Sequence, residues 1–247
     1  MKKSAVTVGV FDGVHLGHQR LLKRVQQISE EYKITSTVYV VSYPFDFFDE
    51  NFEGLIMPIS SRVAEISRFA QYIEVLDLLE IKDMPAEDFF KEYLSDAEFL
   101  VVGEDFKFGK NATGDIALLR RLCSQNGTKL EIFSDITDLK GNRISSSLLR
   151  KLIQHGDIDN VSKLLGRDYL LEFVIESIDE NSDKMHCYLK ADEKIVLPKE
   201  GVFEVFEELF GITGRVQFGK KIIFTAPKTP LAVGSMMQLA FKRRLAN

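Results

Sequence analysis

His15 and His18 stand three residues apart in the run Phe11-Asp12-Gly13-Val14-His15-Leu16-Gly17-His18, and the chain has only four histidines. A spacing of three puts both imidazoles on one side of a forming helical turn. The free backbone N–H groups of that turn face the same space. Gly9, Gly13 and Gly17 let the backbone turn tightly and approach a ligand with no Cβ in the way. Two donor side chains beside a helix start suit a polyphosphate and the charge that develops on it during transfer. Two rival readings use the same residues. One is a tight Asp12-Gly13 turn followed by incidental surface histidines; the other is a zinc site using His-x-x-His as two ligands. Half of the histidines lie within four residues, which weighs against the first. The second lacks a convincing third ligand nearby, and Gly17 between the histidines suits phosphate approach better.

The elements that must position this pair follow from periodicity. Val6, Val8 and Val10 alternate with Thr7 and Gly9, which predicts a short strand, and Leu21, Leu22, Val25, Ile28 and Tyr32 recur at helical spacing. The exchange repeats. Strands are expected over 37–41, 72–78, 99–102 and 129–133, and helices over 62–70 (Val63, Ile66 and Phe69 inward), 86–94 and 115–124. Strands alternating with helices predict an α/β fold, a parallel sheet covered on both faces. Ligands of such sheets bind beyond the carboxyl ends of the strands. From about Asp168 the runs become short and β-rich: 170–178, 184–189, 202–206, 215–218 and 222–226, separated by Asp, Asn, Gly and Pro. Two domains are expected, 1–167 as the α/β domain and 168–247 as a small β-rich domain.

Composition narrows the class. The 247 residues are 45% hydrophobic and 28% charged, an ordinary globular mixture. The formal charge of −5 and a pI near 5.5 argue against a nucleic-acid partner, which wants a basic face. No apolar stretch approaches the roughly 18 residues that span a bilayer, and the amino end has no signal-peptide pattern. Cys123 and Cys187 have neither zinc nor redox-motif spacing. A soluble, cytoplasmic protein without membrane partner is expected; oligomeric state is open.

The stretch Val8-Gly9-Val10-Phe11-Asp12-Gly13-Val14-His15-Leu16-Gly17-His18 resembles the opening motif of the bacterial FAD synthetase family. His-x-Gly-His alone marks the wider nucleotidylyltransferase superfamily; the flanking Gly9, Phe11, Asp12 and Gly13 narrow it. Val102-Gly103-Glu104-Asp105-Phe106-Lys107-Phe108-Gly109, with Gly114 and Asp115 after it, is similar to the family's second motif. Arg143-Ile144-Ser145-Ser146-Ser147-Leu148-Leu149-Arg150 is similar to the third. Taken singly, Phe106 and Phe108 fit core packing as well as a flavin wall. The serines likewise fit an N-cap flanked by solvent arginines.

The resemblance implies a Rossmann-like nucleotidylyltransferase domain and adenylyl transfer: FMN and MgATP give FAD and pyrophosphate. His15 and His18 would stabilise the charge on the transferred phosphate. Val10, Phe11, Gly13 and Gly17, together with Ser145, Ser146, Ser147, Arg150 and Arg143, would hold ATP, and Asp105, Phe106 and Phe108 would face FMN. Mg²⁺ would be held chiefly by the phosphates, so no protein metal ligand set is expected. The chain departs from the family pattern at Val10, commonly Asn, and at Ser42-Tyr43-Pro44-Phe45, where a His-Pro pair is common.

The family usually carries a riboflavin kinase half with a Gly-x-Pro-Thr-Ala-Asn segment. None of Pro44, Pro58, Pro85, Pro198, Pro227 and Pro230 is followed by Thr, so residues 168–247 are expected to be a degenerate kinase remnant, a truncated barrel without that activity. A bifunctional enzyme, a transferase using another phosphorylated acceptor and a non-catalytic flavin- or nucleotide-binding protein are the alternatives. The P-loop-like Gly214 to Lys221 lacks the final Ser or Thr and precedes a strand-like run, so a hairpin turn is expected there.

Overall fold

The computed structural model describes residues 4–134, 143–180, 184–191 and 194–246. The chain divides into two compact units, residues 1–52 with 59–144 and residues 53–58 with 145–247.

The first unit is built on five strands, β1 (Ser4–Gly9), β2 (Thr35–Val41), β3 (Tyr72–Leu76), β4 (Ala97–Gly103) and β5 (Lys129–Phe133). They form one parallel sheet in the order β3-β2-β1-β4-β5. The order reverses between β1 and β4, which makes the carboxyl ends of those two strands the place for a ligand crevice. Buried side chains on β1 alternate between the faces: Val6 and Val8 join Leu100, Val102, Phe89 and Leu119 on one. Ala5 meets Val25, Ile28, Phe99 and Val101 on the other. This is the two-sided burial that a parallel sheet requires.

Helices α1 (Leu16–Tyr32), α2 (Ile59–Ile66), α3 (Leu78–Ile81), α4 (Ala86–Phe89) and α5 (Ile116–Asn126) connect the strands. The helix expected over 86–94 is present, but its second half, Phe90–Leu94, is wound as a π-turn. The helix expected over 62–70 instead runs Ile59–Ile66, with Arg62 and Ile66 buried. Phe69 falls in a turn closed by its N–H on the Ile66 carbonyl, at 2.9 Å.

The second unit contains α6 (Ser146–His155), α7 (Ile158–Leu165) and six antiparallel strands. These are β6 (Tyr169–Glu180), β7 (Lys184–Lys190), β8 (Gly201–Glu207), β9 (Ile212–Phe218), β10 (Ile222–Pro227) and β11 (Met236–Leu245), closed as a barrel in the order β10-β7-β6-β11-β8-β9. Every second residue of β7 and β9 is buried, and Phe173, Phe203, Phe224 and Phe241 fill the interior. β9 and β10 form a hairpin, and a Cβ on Gly214 would sit 2.3 Å from the Phe224 ring, so this glycine serves packing. Composition shifts at 167/168, where the barrel strands begin; α6 and α7 group with them because α7 lies against β6 and β11. The segment 53–58 belongs here through Leu55, whose N–H donates to the Lys194 carbonyl while its own carbonyl accepts from Val196, both at 2.8 Å. Among the described residues no helix is long and apolar enough to cross a membrane.

Candidate functional site

β1 runs out at Gly9, and the chain makes a tight turn before α1. Gly13 carries φ +84°, and Phe11 and Val14 adopt φ +53° and +42°, conformations that side-chain-bearing residues take only when their surroundings enforce them. The turn is closed by the Val14 N–H on the Phe11 carbonyl, at 2.9 Å. Phe11 and Val14 are buried, so the strained backbone is held by packing as well.

His15 is the N-cap of α1. Its side chain, through Nδ1, accepts the backbone N–H of His18 at 3.3 Å, satisfying one of the free donors of the first turn. A nitrogen that accepts cannot carry the proton, so the neutral ring carries it on Nε2. His18 lies face to face with His15, with centroids 3.6 Å apart and planes 19° from parallel, and meets the edge of Phe11 at 5.3 Å. The residue keeps part of its surface accessible, while its Nδ1 is closed off without a hydrogen-bond partner. Burial foremost, then the neighbouring His15 and Arg62, hold the His18 imidazole well below the usual histidine range. His18 is therefore a neutral imidazole near pH 7. A Cβ on Gly17 would lie 3.0 Å from Nδ1 and Cε1 of His15, so the glycine between the histidines makes room for the first ring.

Beside the pair lies a cavity of about 420 Å³ at the carboxyl ends of β1 and β4. Val10, Phe11, His18, Asp105, Phe106 and Phe108 all line it, bringing members of the first and second sequence motifs together. Phe106 and Phe108 stack with centroids 5.4 Å apart. Their environments differ: Phe108 is buried in the core cluster, whereas Phe106 is only partly covered. Asp105 is ion-paired with Arg143, both side chains being substantially exposed. Phe45, from the loop after β2, and Ile81 and Phe89 complete the wall and were not among the sequence candidates.

Arg62 is the polar residue that sequence reading missed. It is fully buried, and its guanidinium donates to the carbonyls of Val10 at 2.8 Å, Val41 at 3.3 Å and Ser42 at 2.6 Å. The available signal was Pro58: placed just before a helix it sets the start at Ile59. Ile59, Arg62 and Ile66 then share one face.

The third motif lies in the second unit. Ser145 caps α6, accepting the Leu148 N–H at 3.2 Å, and Ser146 and Ser147 are the first residues of that helix. Arg150 is buried, with Nε donating to the Gly54 carbonyl at 2.7 Å. Among the described residues, no three His, Cys, Asp or Glu side chains come together in a way that could hold a metal ion.

A sequence profile of the FAD synthetase family matches residues 1–148. A bifunctional riboflavin kinase/FMN adenylyltransferase of Buchnera aphidicola (Schizaphis graminum) is 30% identical over 175 residues, which is 67% of this chain and 55% of that protein. An FAD synthetase of Listeria monocytogenes is 24% identical over 222 residues, 86% of this chain and 85% of the relative. The aligned stretch is about half the length of the bifunctional relatives from Buchnera, 55% of one and 54% of another. Among solved structures, one described as a macrolide-efflux protein from Streptococcus pneumoniae superposes with a TM-score of 0.83 at 20% identity, covering 99% of this chain and 86% of that one. At that identity the likeness shows the fold alone. With three fifths of its length matched by the family profile, this chain belongs to the FAD synthetase family.

Proposed function

We propose that this chain transfers the adenylyl group of ATP to the phosphate of FMN, giving FAD and pyrophosphate. The observation that carries the reading is the stacked His15–His18 pair at the start of α1, opening on an aromatic cavity of about 420 Å³ at the strand-order reversal. An oxygen of the FMN phosphate attacks the α-phosphorus of ATP in line. The new P–O bond forms as the bond to the β-phosphate oxygen breaks, and the electron pair leaves with pyrophosphate. No proton has to move in that step. Neutral imidazoles donating from Nε2 suit it, because they stabilise growing phosphate charge without competing as bases. Orientation supplies the rest of the acceleration.

In this reading Phe106 borders the flavin ring and Asp105 faces the flavin side. Ser146, Ser147 and Arg150 hold the outer phosphates with help from Arg143. Mg²⁺ arrives with ATP and is held chiefly by its phosphates. Within these 247 residues no proline is followed by threonine, which supports adenylyl transfer without a riboflavin kinase step on this chain.

The test is to incubate the purified protein with MgATP and either FMN or riboflavin and to separate the flavins by chromatography. FAD from FMN, with nothing formed from riboflavin, is expected. FMN appearing from riboflavin would overturn the kinase-free part, and no FAD from FMN would overturn the reaction itself.

A further inference from the structure

We infer that Arg62 is a positioning residue for adenylyl transfer: its buried guanidinium locks the carboxyl ends of β1 and β2 together and so fixes the turn that presents His15 and His18. The inference rests on the proposed reaction for its kinetic consequence, but not for its structural one.

The three carbonyls lie at the exits of two strands. Val10 follows the last residue of β1 and precedes Phe11, the first positive-φ residue of the turn. Val41 ends β2, and Ser42 follows it. Ser42 is itself a junction: its N–H donates to the Leu76 carbonyl at 2.9 Å, and its hydroxyl accepts the Leu78 N–H at 3.0 Å. One planar side chain from α2 thus joins the exits of β1 and β2, and through Ser42 the exit of β3.

Such a joint is needed at this place. Two residues with side chains, Phe11 and Val14, hold left-handed backbone within four positions, and that conformation persists only if neighbouring structure over-determines it. The Val10 carbonyl is the last fixed point before it. A guanidinium with donors in a rigid fork can hold three carbonyls at set directions, and the ammonium of lysine cannot reproduce that geometry. Burial adds to the rigidity, because carbonyls deprived of this donor inside the protein would be left unsatisfied.

The experiment compares the full-length protein with Arg62→Lys and Arg62→Met, following FAD formation and backbone amide exchange. The amides to watch are Val14 N–H, which closes the turn, and His18 N–H, which rests on His15. Arg62→Lys is expected to lower kcat at least tenfold with KM for ATP within about threefold. It should also speed exchange at Val14 and His18 at least tenfold, while amides of β4 and β5 keep wild-type protection. Arg62→Met should do the same more severely; should it fail to fold, the lysine variant carries the comparison. Wild-type kcat and exchange in Arg62→Lys would overturn the inference. So would protection lost evenly across the sheet, which is the mark of a residue serving stability alone. If the wild-type protein makes no FAD, the proposed reaction fails, and the local exchange pattern still decides the role of Arg62.

Discussion

The imidazoles of His15 and His18 stack with centroids 3.6 Å apart, and the Nδ1 of the first accepts the backbone N–H of the second. Two imidazolium rings at that separation would repel, so the pair is built to hold at most one extra proton. If both rings donate to the transferred phosphate, His15→Ala and His18→Ala should each lower kcat about 10²–10³-fold, the loss seen on deleting one transition-state donor. Because each ring orients the other, the double variant should lose less than the product of the two single losses. Steady-state kinetics on the three variants checks this; a fully multiplicative double variant would show that the rings act independently.

His18 also predicts a pH dependence. Its folded-state proton affinity is lowered, by burial first and then by His15 and Arg62. In the unfolded chain the ring titrates near its usual value of about 6.5. Between those two values the unfolded state binds more protons, so stability rises with pH there. The contribution of neutral His18 is therefore complete above about pH 6.5, declines as pH falls below that, and is fully lost once pH passes the folded value. Melting temperatures of wild type and His18→Gln between pH 5 and 8 should diverge in slope on the acid side only. Parallel curves would show that His18 titrates normally in the folded protein.

Gly17 gives a sharper geometric test. A methyl group there would meet His15 at 3.0 Å, tighter than ordinary contact, while φ at this glycine needs no special freedom. Gly17→Ala should leave α1 intact, since alanine favours helix. It should push the His15 ring off its position and cost about tenfold or more in kcat, with a melting temperature within a few degrees of wild type. Full activity in Gly17→Ala would mean that the glycine is not placed for the imidazole.

Much of this was legible in the sequence, because the determinants are local. The Val6-Val8 alternation sets β1, and the glycines and histidines that follow lie within one turn, so chemistry and spacing coincide. Arg62 was not legible for the opposite reason: its partners Val10, Val41 and Ser42 are 52, 21 and 20 positions away, and only the folded sheet gathers them. Phe45 escaped likewise, being exposed in its loop and relevant only through the cavity it borders. The closing strand β11 pairs with β6 and β8 across long stretches of chain, so barrel closure could not be read from its pattern alone. Sequence left Phe106 and Phe108 with equal claims to core and site; both line the cavity, and burial alone separates them, Phe108 being the deeper.

That separation supports a prediction for the cavity's ion pair. Asp105 and Arg143 hold each other across a partly exposed surface, where such pairs contribute about 0.2–1 kcal/mol to stability. Asp105→Ala should thus shift the melting temperature little. As a cavity-lining residue it should instead raise KM for FMN more than KM for ATP. Equal effects on both substrates would remove Asp105 from the flavin side.

The two phenylalanines should then respond in opposite ways. Phe108 is 3% exposed, packs among Phe89, Leu100 and Leu119, and its ring occupies the space a Cβ on Gly114 would need, at 2.7 Å. Phe108→Ala should cost about 3–5 kcal/mol of stability, the usual loss for a buried aromatic. Phe106 stacks on it and is only partly covered, so its truncation leaves no comparable void. Phe106→Ala should keep most of the stability and weaken FMN binding by about 5–10-fold, in keeping with roughly 0.5–1.5 kcal/mol for one aromatic contact. Denaturant unfolding and titration of FMN fluorescence on the two variants read these quantities separately. If Phe106→Ala unfolds as readily as Phe108→Ala while binding FMN normally, both rings are core and the flavin lies against another wall.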